Sequence, residues 1–143
     1  MIMAYPVSLK RESGGAMLAS FPDVPEALTQ GESVNETLTE AQDALLAALG
    51  GYINERRAIP SPSKAKRGQR LVLLPPLPAA KLALYQAMRE AGLTNVALGK
   101  RLKVSEAAVR RLIDLDHRSH IGQIEEALAA LGKRLVVEVE KAA

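Results

Sequence analysis

No cysteine occurs in this chain, and that one absence removes a disulfide framework, a thiolate metal site and a cysteine nucleophile. Tryptophan is missing too. Phe21 and three tyrosines are the only aromatic residues, too few for the stacking platforms of a single-strand binder. No run of about 18 consecutive apolar residues is present, so no membrane span is expected. Met1 to Lys10 shows no basic patch followed by an apolar stretch, so no signal peptide is expected and the cytoplasm is the expected compartment. What is present is ordinary globular material. The 143 residues are 48% hydrophobic and 24% charged, enough for one domain or two very small ones.

Catalytic constellations are also missing. General acid–base chemistry needs carboxylates placed together in a cleft. Asp23, Glu26 and Glu32 flank turns in a half of the chain that has no histidine. There is no glycine-rich phosphate loop followed by Lys-Ser/Thr and no Gly-x-Ser-x-Gly elbow. His117 and His120 are the only histidines, and a zinc site would need further ligands that the chain does not supply. No enzyme activity, metal or cofactor is expected.

The net charge of +3 hides a division. Residues 1–63 hold four basic and eight acidic residues, a net of −4. Residues 64–143 hold 15 basic and eight acidic residues, a net of +7. Such an asymmetry suggests two modules with two partners. The basic half suits phosphate backbones, and the acidic half suits a basic protein.

The first half reads as β-β-β-α-β. Ile2 to Leu9 alternates, but Pro6 marks it as an edge or interrupted strand. Glu12-Ser13-Gly14-Gly15 is a turn, Ala16 to Phe21 a returning strand, and Ala27 to Gln30 a short third strand. Ser33-Val34-Asn35-Glu36 is a capping box. Val34, Leu38, Ala41, Leu45, Leu49 and Ile53 recur behind it at helical spacing, predicting a helix over 34–55. Gly50-Gly51 costs about 1 kcal/mol per glycine relative to alanine and predicts a bend or an end there. Ile59 to Gly68 is a loop, and Leu71 to Leu74 a buried strand. Pro75-Pro76-Leu77-Pro78 reads as a stiff, extended connection and sets the boundary between domains 1–76 and 77–143.

The second half reads as helices until its last residues. They cover Ala79 to Ala91, Asn95 to Leu102, Glu106 to Ile113 and Ile121 to Leu131, with Thr94 and Ser105 as caps. Leu135-Val136-Val137-Glu138-Val139 is rich in β-formers. A lone strand in a helical module needs a partner, and the same strand of a second subunit would serve. Leu135, Val136, Val137 and Val139 are therefore expected to make a dimer contact.

The sharpest motif is a helix-turn-helix. Gly99 lets two helices approach, Lys103-Val104 forms the turn, and Leu98, Leu102, Val104, Val109 and Leu112 lock the pair together. Such a pair presents the start of its second helix to the major groove. Ser105, Glu106, Ala107, Arg110 and Arg111 occupy that helix, and either arginine can pair with guanine in a bidentate contact. Thr94, Asn95, Lys100, Arg101, Lys103, His117, Arg118, Ser119 and His120 suit phosphates. Position 103 is lysine where this motif usually has a turn glycine, and lysine can adopt the conformation at some cost.

Several phrases carry a family resemblance. They are Phe21-Pro22-Asp23-Val24-Pro25, Thr29-Gln30-Gly31-Glu32-Ser33, Glu40-Ala41 with Ala44-Leu45, and Ile59-Pro60-Ser61-Pro62-Ser63. Together they resemble the HicB family of antitoxins over roughly residues 1–76. Val104 to Leu112 and Ala130 to Leu135 resemble the helix-turn-helix module of one branch of that family. Glu26 stands where the family usually shows glycine. The resemblance implies an α+β chain, with a partial ribonuclease-H-like first domain that lacks catalytic acids. It also implies an antitoxin that binds and blocks HicA, a small basic mRNA-cleaving toxin. The second domain would bind operator DNA as a dimer and repress its own operon; if both halves self-associate, two-fold symmetry makes a tetramer natural. The competing reading is a stand-alone helix-turn-helix regulator whose first half senses a ligand or a protein.

Overall fold

A computed structural model describes residues 3–142. The chain forms two compact units, one reaching Ala79 and the other starting at Ala80. Ile2, the expected first residue of the opening strand, lies outside the described residues.

The first unit contains β1 (Ala4–Arg11), β2 (Met17–Ser20), β3 (Leu28–Gly31), α1 (Val34–Asn54) and β4 (Arg70–Leu73). The strands form one sheet in the order β3-β2-β1-β4, antiparallel at every pairing. β1 is therefore a central strand, which corrects the edge position expected from Pro6. Ladder parity explains why a proline is tolerated there. Leu74 N–H donates to Met3 C=O at 3.0 Å, and hydrogen-bonded pairs alternate from that point. Tyr5 and Val7 thus bond β4, while Pro6 opposite Leu71 is a non-bonded pair. The proline nitrogen faces the β2 side, where pairing begins only at Ser8. No ladder bond is lost.

Tyr5, Val7 and Ala19 are fully buried on one face of the sheet, with Val72 beside them. α1 covers that face with Ala41, Leu45, Leu49 and Ile53, the periodic residues of its sequence. Val34 and Leu38 are only half-buried. The helix runs through Gly50 and Gly51 to Asn54 without ending at the pair, because the buried stripe on either side of it continues. At the other end of α1, Gly31 has a steric role. A Cβ there would lie 2.6 Å from Thr37 Oγ1, whose hydroxyl donates to Ser33 C=O at 2.6 Å. The cap is half of the expected box. Ser33 Oγ accepts from Glu36 N–H at 3.1 Å, but the Glu36 carboxylate takes the N–H of Glu32 instead of Ser33.

Residues 57–69 form no helix or strand and are tied down by long-range hydrogen bonds. Tyr5 OH donates to Pro60 C=O at 2.6 Å. Asp23 Oδ2 accepts from both the N–H and the hydroxyl of Ser63, at 2.9 and 3.0 Å.

The Pro75–Pro78 segment is not an extended connection. α2 (Pro76–Ala91) begins inside it, with Pro76 and Pro78 in the first turn, where a missing N–H costs no helical bond. In the second unit α2 is followed by α3 (Asn95–Leu102), α4 (Glu106–Leu112) and α5 (Ile121–Ala130). Leu82, Leu84, Leu98, Val109, Ile124 and Ala127 are fully buried there. The strand expected at 135–139 does not form within the single chain. Val136, Val137 and Val139 are 76, 78 and 91% exposed. Among the described residues no neighbouring strand supplies the ladder bonds that a β-strand requires.

Candidate nucleic-acid interface

Two short helices meet across a tight turn. Thr94 Oγ1 caps α3 by accepting from Ala97 N–H, and Ser105 Oγ caps α4 by accepting from Ala108 N–H, both at 3.1 Å. Lys103 ends α3 in the left-handed region, at φ 59° and ψ 42°. Its neighbour Val104 donates its N–H back to Gly99 C=O at 2.9 Å. Gly99 is what permits this return. A Cβ at that position would lie 2.8 Å from the carbonyl oxygen of Val104.

Leu98 and Val109 are fully buried between the helices, and Leu112 and Ile113 nearly so. The expected apolar lock is smaller than the sequence suggests. Leu102 is half-buried, and Val104 is 44% exposed at the rim of an open groove of about 150 Å³ against α5.

Lys100, Arg101, Lys103, Arg110, Arg111 and Arg118 are exposed on this unit, as are His117 and His120. Thr94 and Ser105 are exposed at their caps, while Ala107 is half-buried. Glu106 lies 3.6 Å from Arg110, one turn along α4. Asn95 is turned inward, contrary to its expected place among the phosphate-facing residues. It is buried, with Nδ2 at 3.5 Å from Glu106 Oε1. Ser119 is also committed internally. Its Oγ lies 3.1 Å from His117 Nδ1 and 3.3 Å from Arg111 C=O.

Sequence reasoning missed Lys81. This residue of α2 is fully buried, and its Nζ donates to Arg111 C=O at 2.8 Å, Asp114 C=O at 2.7 Å and Ser119 Oγ at 2.9 Å. Burial pushes its pKa down, and the nearby charge of Asp114 opposes the shift. A signal was available. Lys81, Tyr85 and Met88 share the i, i+4, i+7 stripe that faces the core.

The first unit places acidic side chains outward. Glu32, Glu36, Glu40 and Asp43 are exposed at the start and along the outer side of α1. The outward face of the sheet has a different character. Leu28, Leu71 and Leu73 are exposed on it by 59, 54 and 45%. Among the described residues no group of three or more His, Asp or Glu side chains is placed to hold a metal ion. No helix among them is long and apolar enough to cross a membrane.

Comparison with known proteins decides the family. A family model described as the HicB_like antitoxin of bacterial toxin-antitoxin systems matches residues 4–83. This chain belongs to the HicB-like antitoxins. It is 40% identical to Antitoxin HicB 2 of Photorhabdus laumondii, over 93% of this chain and 94% of that one. It is 37% identical to Antitoxin HicB of Escherichia coli, over 93% and 96%. A solved structure, the N-terminal domain of Burkholderia pseudomallei antitoxin HicB, is similar over 51% of this chain and 96% of that one, with 18% identity and a TM-score of 0.43. Membership in a family of HicB antitoxins implies a regulatory, non-enzymatic role in a toxin–antitoxin system.

Proposed function

We propose that this HicB-like antitoxin works in the cytoplasm by covering two surfaces. The first unit, with its partial ribonuclease-H-like β-β-β-α-β order, binds and blocks a HicA-like, mRNA-cleaving toxin. The second is a helix-turn-helix module that binds operator DNA and represses the antitoxin's own operon. The observation that carries the DNA reading is the turn at Gly99–Ser105. It joins two hydroxyl-capped helices at close approach, with cations exposed on both. In that arrangement α4 enters the major groove, Arg110 or Arg111 reads guanine, and Lys100, Arg101, Lys103 and Arg118 engage phosphates.

The toxin reading is supported by the outward acids of α1 opposite a cationic partner, a match that speeds encounter more than it deepens affinity. Chain pairing through residues 134–140 would set two α4 helices about one DNA turn apart. Association of both units would give a tetramer.

The test is Arg110→Glu with Arg111→Glu. The double variant is expected to lose binding to the DNA upstream of its own gene, measured by gel shift. It should still neutralise a co-expressed HicA-like toxin. Loss of both activities would overturn the two-module reading.

A further inference from the structure

Lys81 is the one fully buried cation among the described residues. An ammonium has three donors and no acceptor, and here all three are used. Two acceptors are the carbonyls of Arg111, in the last turn of α4, and Asp114, just beyond its end. Each also accepts a turn N–H, Arg111 C=O from Asp114 at 3.3 Å and Asp114 C=O from His117 at 3.1 Å, and carbonyls at a helix C-terminus carry partial negative charge that favours a cation. The third acceptor, Ser119 Oγ, sits beside His117 Nδ1 at 3.1 Å. One nitrogen atom therefore gathers the end of α4 and both ends of the 114–119 loop. Taking a cation out of water is costly unless it is fully hydrogen-bonded. An apolar side chain would fill the same space without that cost, but it would leave three inward-facing oxygens without this donor.

We propose that Lys81 is the positioning residue of the DNA-binding surface. Its ammonium holds the C-terminal end of α4 and the 114–119 loop in the one arrangement that presents Arg111, His117 and Arg118 together. Being buried, it touches no DNA itself. This inference rests on the DNA-binding reading of the second unit and adds to it the residue that sets the surface's geometry.

The absence of cysteine provides a direct test, because Lys81→Cys carries the chain's single thiol. Alkylating that thiol with 2-bromoethylamine in denaturant, then refolding, displaces bromide and rebuilds an ammonium one thioether away from lysine. The full chain, Lys81→Met, Lys81→Cys and the aminoethylated protein are titrated against the DNA upstream of the gene at several salt concentrations. Circular dichroism confirms that each is folded. The Lys81→Met protein should bind about tenfold more weakly than wild type. Its slope of log K against log salt should be shallower by about 0.9 for each phosphate that the surface no longer neutralises. Aminoethylation should restore both quantities. A residue that only adds stability would leave the affinity and slope of the folded protein unchanged.

Wild-type affinity and slope in folded Lys81→Met, or no recovery on aminoethylation, would overturn the proposal. If Lys81→Met does not fold, Ser119→Ala carries the test, since it removes one acceptor and keeps the ammonium. A weaker, shallower titration supports the inference and an unchanged one refutes it. Failure of the wild-type protein to bind the DNA at all would refute the DNA reading first and remove this inference with it.

Discussion

The carboxylate of Glu26 accepts a 2.7 Å hydrogen bond from the hydroxyl of Tyr52, joining the proline turn before β3 to the last turn of α1. Arg57 completes the group. Its Nη1 lies 3.0 Å from Glu26 Oε2, and its guanidinium stacks over the Tyr52 ring at 3.9 Å. Glu26 occupies a place where the family resemblance leads one to expect glycine. Its side chain has an internal task in this chain and fastens the 22–26 turn to the helix.

The Glu26 contact has an acid signature. The Tyr52 hydrogen bond, then the local backbone, then Arg57 lower its pKa below the usual carboxylate value. A lowered folded-state pKa makes the stabilisation complete above the unfolded value of 4.5 and removes it as pH falls through the folded value. Urea unfolding of Glu26→Gln at several pH values should therefore show a smaller loss of stability below pH 4.5 than wild type. Parallel acid profiles for the two proteins would exclude the contact as a stabiliser.

The local parts of this architecture are readable in the chain, and the non-local parts are not. Hydroxyl caps act within three residues, so Ser33, Thr94 and Ser105 announce three helix starts correctly. The buried stripe of α1 is equally visible, as are the turn at Lys103 and the close approach at Gly99. Pro6 misleads because its cost depends on which side of β1 its nitrogen faces, and that is fixed by pairing with β4 more than 60 residues later. Asn95 reads as outward from its place at a helix start, but its inward turn depends on α4. The partners of Glu26 lie 26 and 31 residues away. The inward place of Lys81 is legible in its stripe with Tyr85 and Met88, but its three acceptors are not, because they come from the end of α4 and a loop with no periodicity. The run from Leu135 to Val139 marks β-preference truly, yet β-preference alone makes no strand without a neighbour.

Tyr5 gives a second, alkaline signature in the first unit. Burial, followed by the charge of Asp23, raises its pKa to about 12, so the phenol stays protonated and donates to Pro60. A raised value means that this contribution is complete below pH 10 and is lost as pH climbs through about 12. Tyr5→Phe should cost about 1 kcal/mol at pH 7 by denaturant unfolding. It should also flatten the fall in stability between pH 10 and about 12. An equally steep fall in the variant would remove Tyr5 as its source.

The turn at 99–105 separates a steric demand from a charge. Gly99→Ala drives a methyl to 2.8 Å from a backbone oxygen, so the turn must open. A loss of about 1–3 kcal/mol is expected from such overpacking, together with weaker DNA binding. Lys103→Gly relieves a left-handed lysine and should add up to about 1 kcal/mol while removing a cation. Melting and gel-shift titrations of both variants check this. Stability should fall in the first and rise in the second, with DNA affinity falling in both.

The valines of the C-terminal segment bear on subunit association. Val136, Val137 and Val139 are β-branched and exposed, and they follow Lys133, whose Nζ lies 3.2 Å from Glu90 of α2 in an exposed ion pair. A strand of this kind acquires ladder bonds when an identical strand runs beside it, and alternate residues then share a face. In such a paired strand Val137 and Val139 would lie on one face and Val136 on the other. Val137→Asp with Val139→Asp places four like charges on one face of a symmetric pair and should dissociate it. Sedimentation equilibrium is expected to show the wild-type chain as a dimer or larger and the double variant with a lower mass, with unchanged helix content by circular dichroism. An identical mass distribution for the two proteins would assign association to another surface.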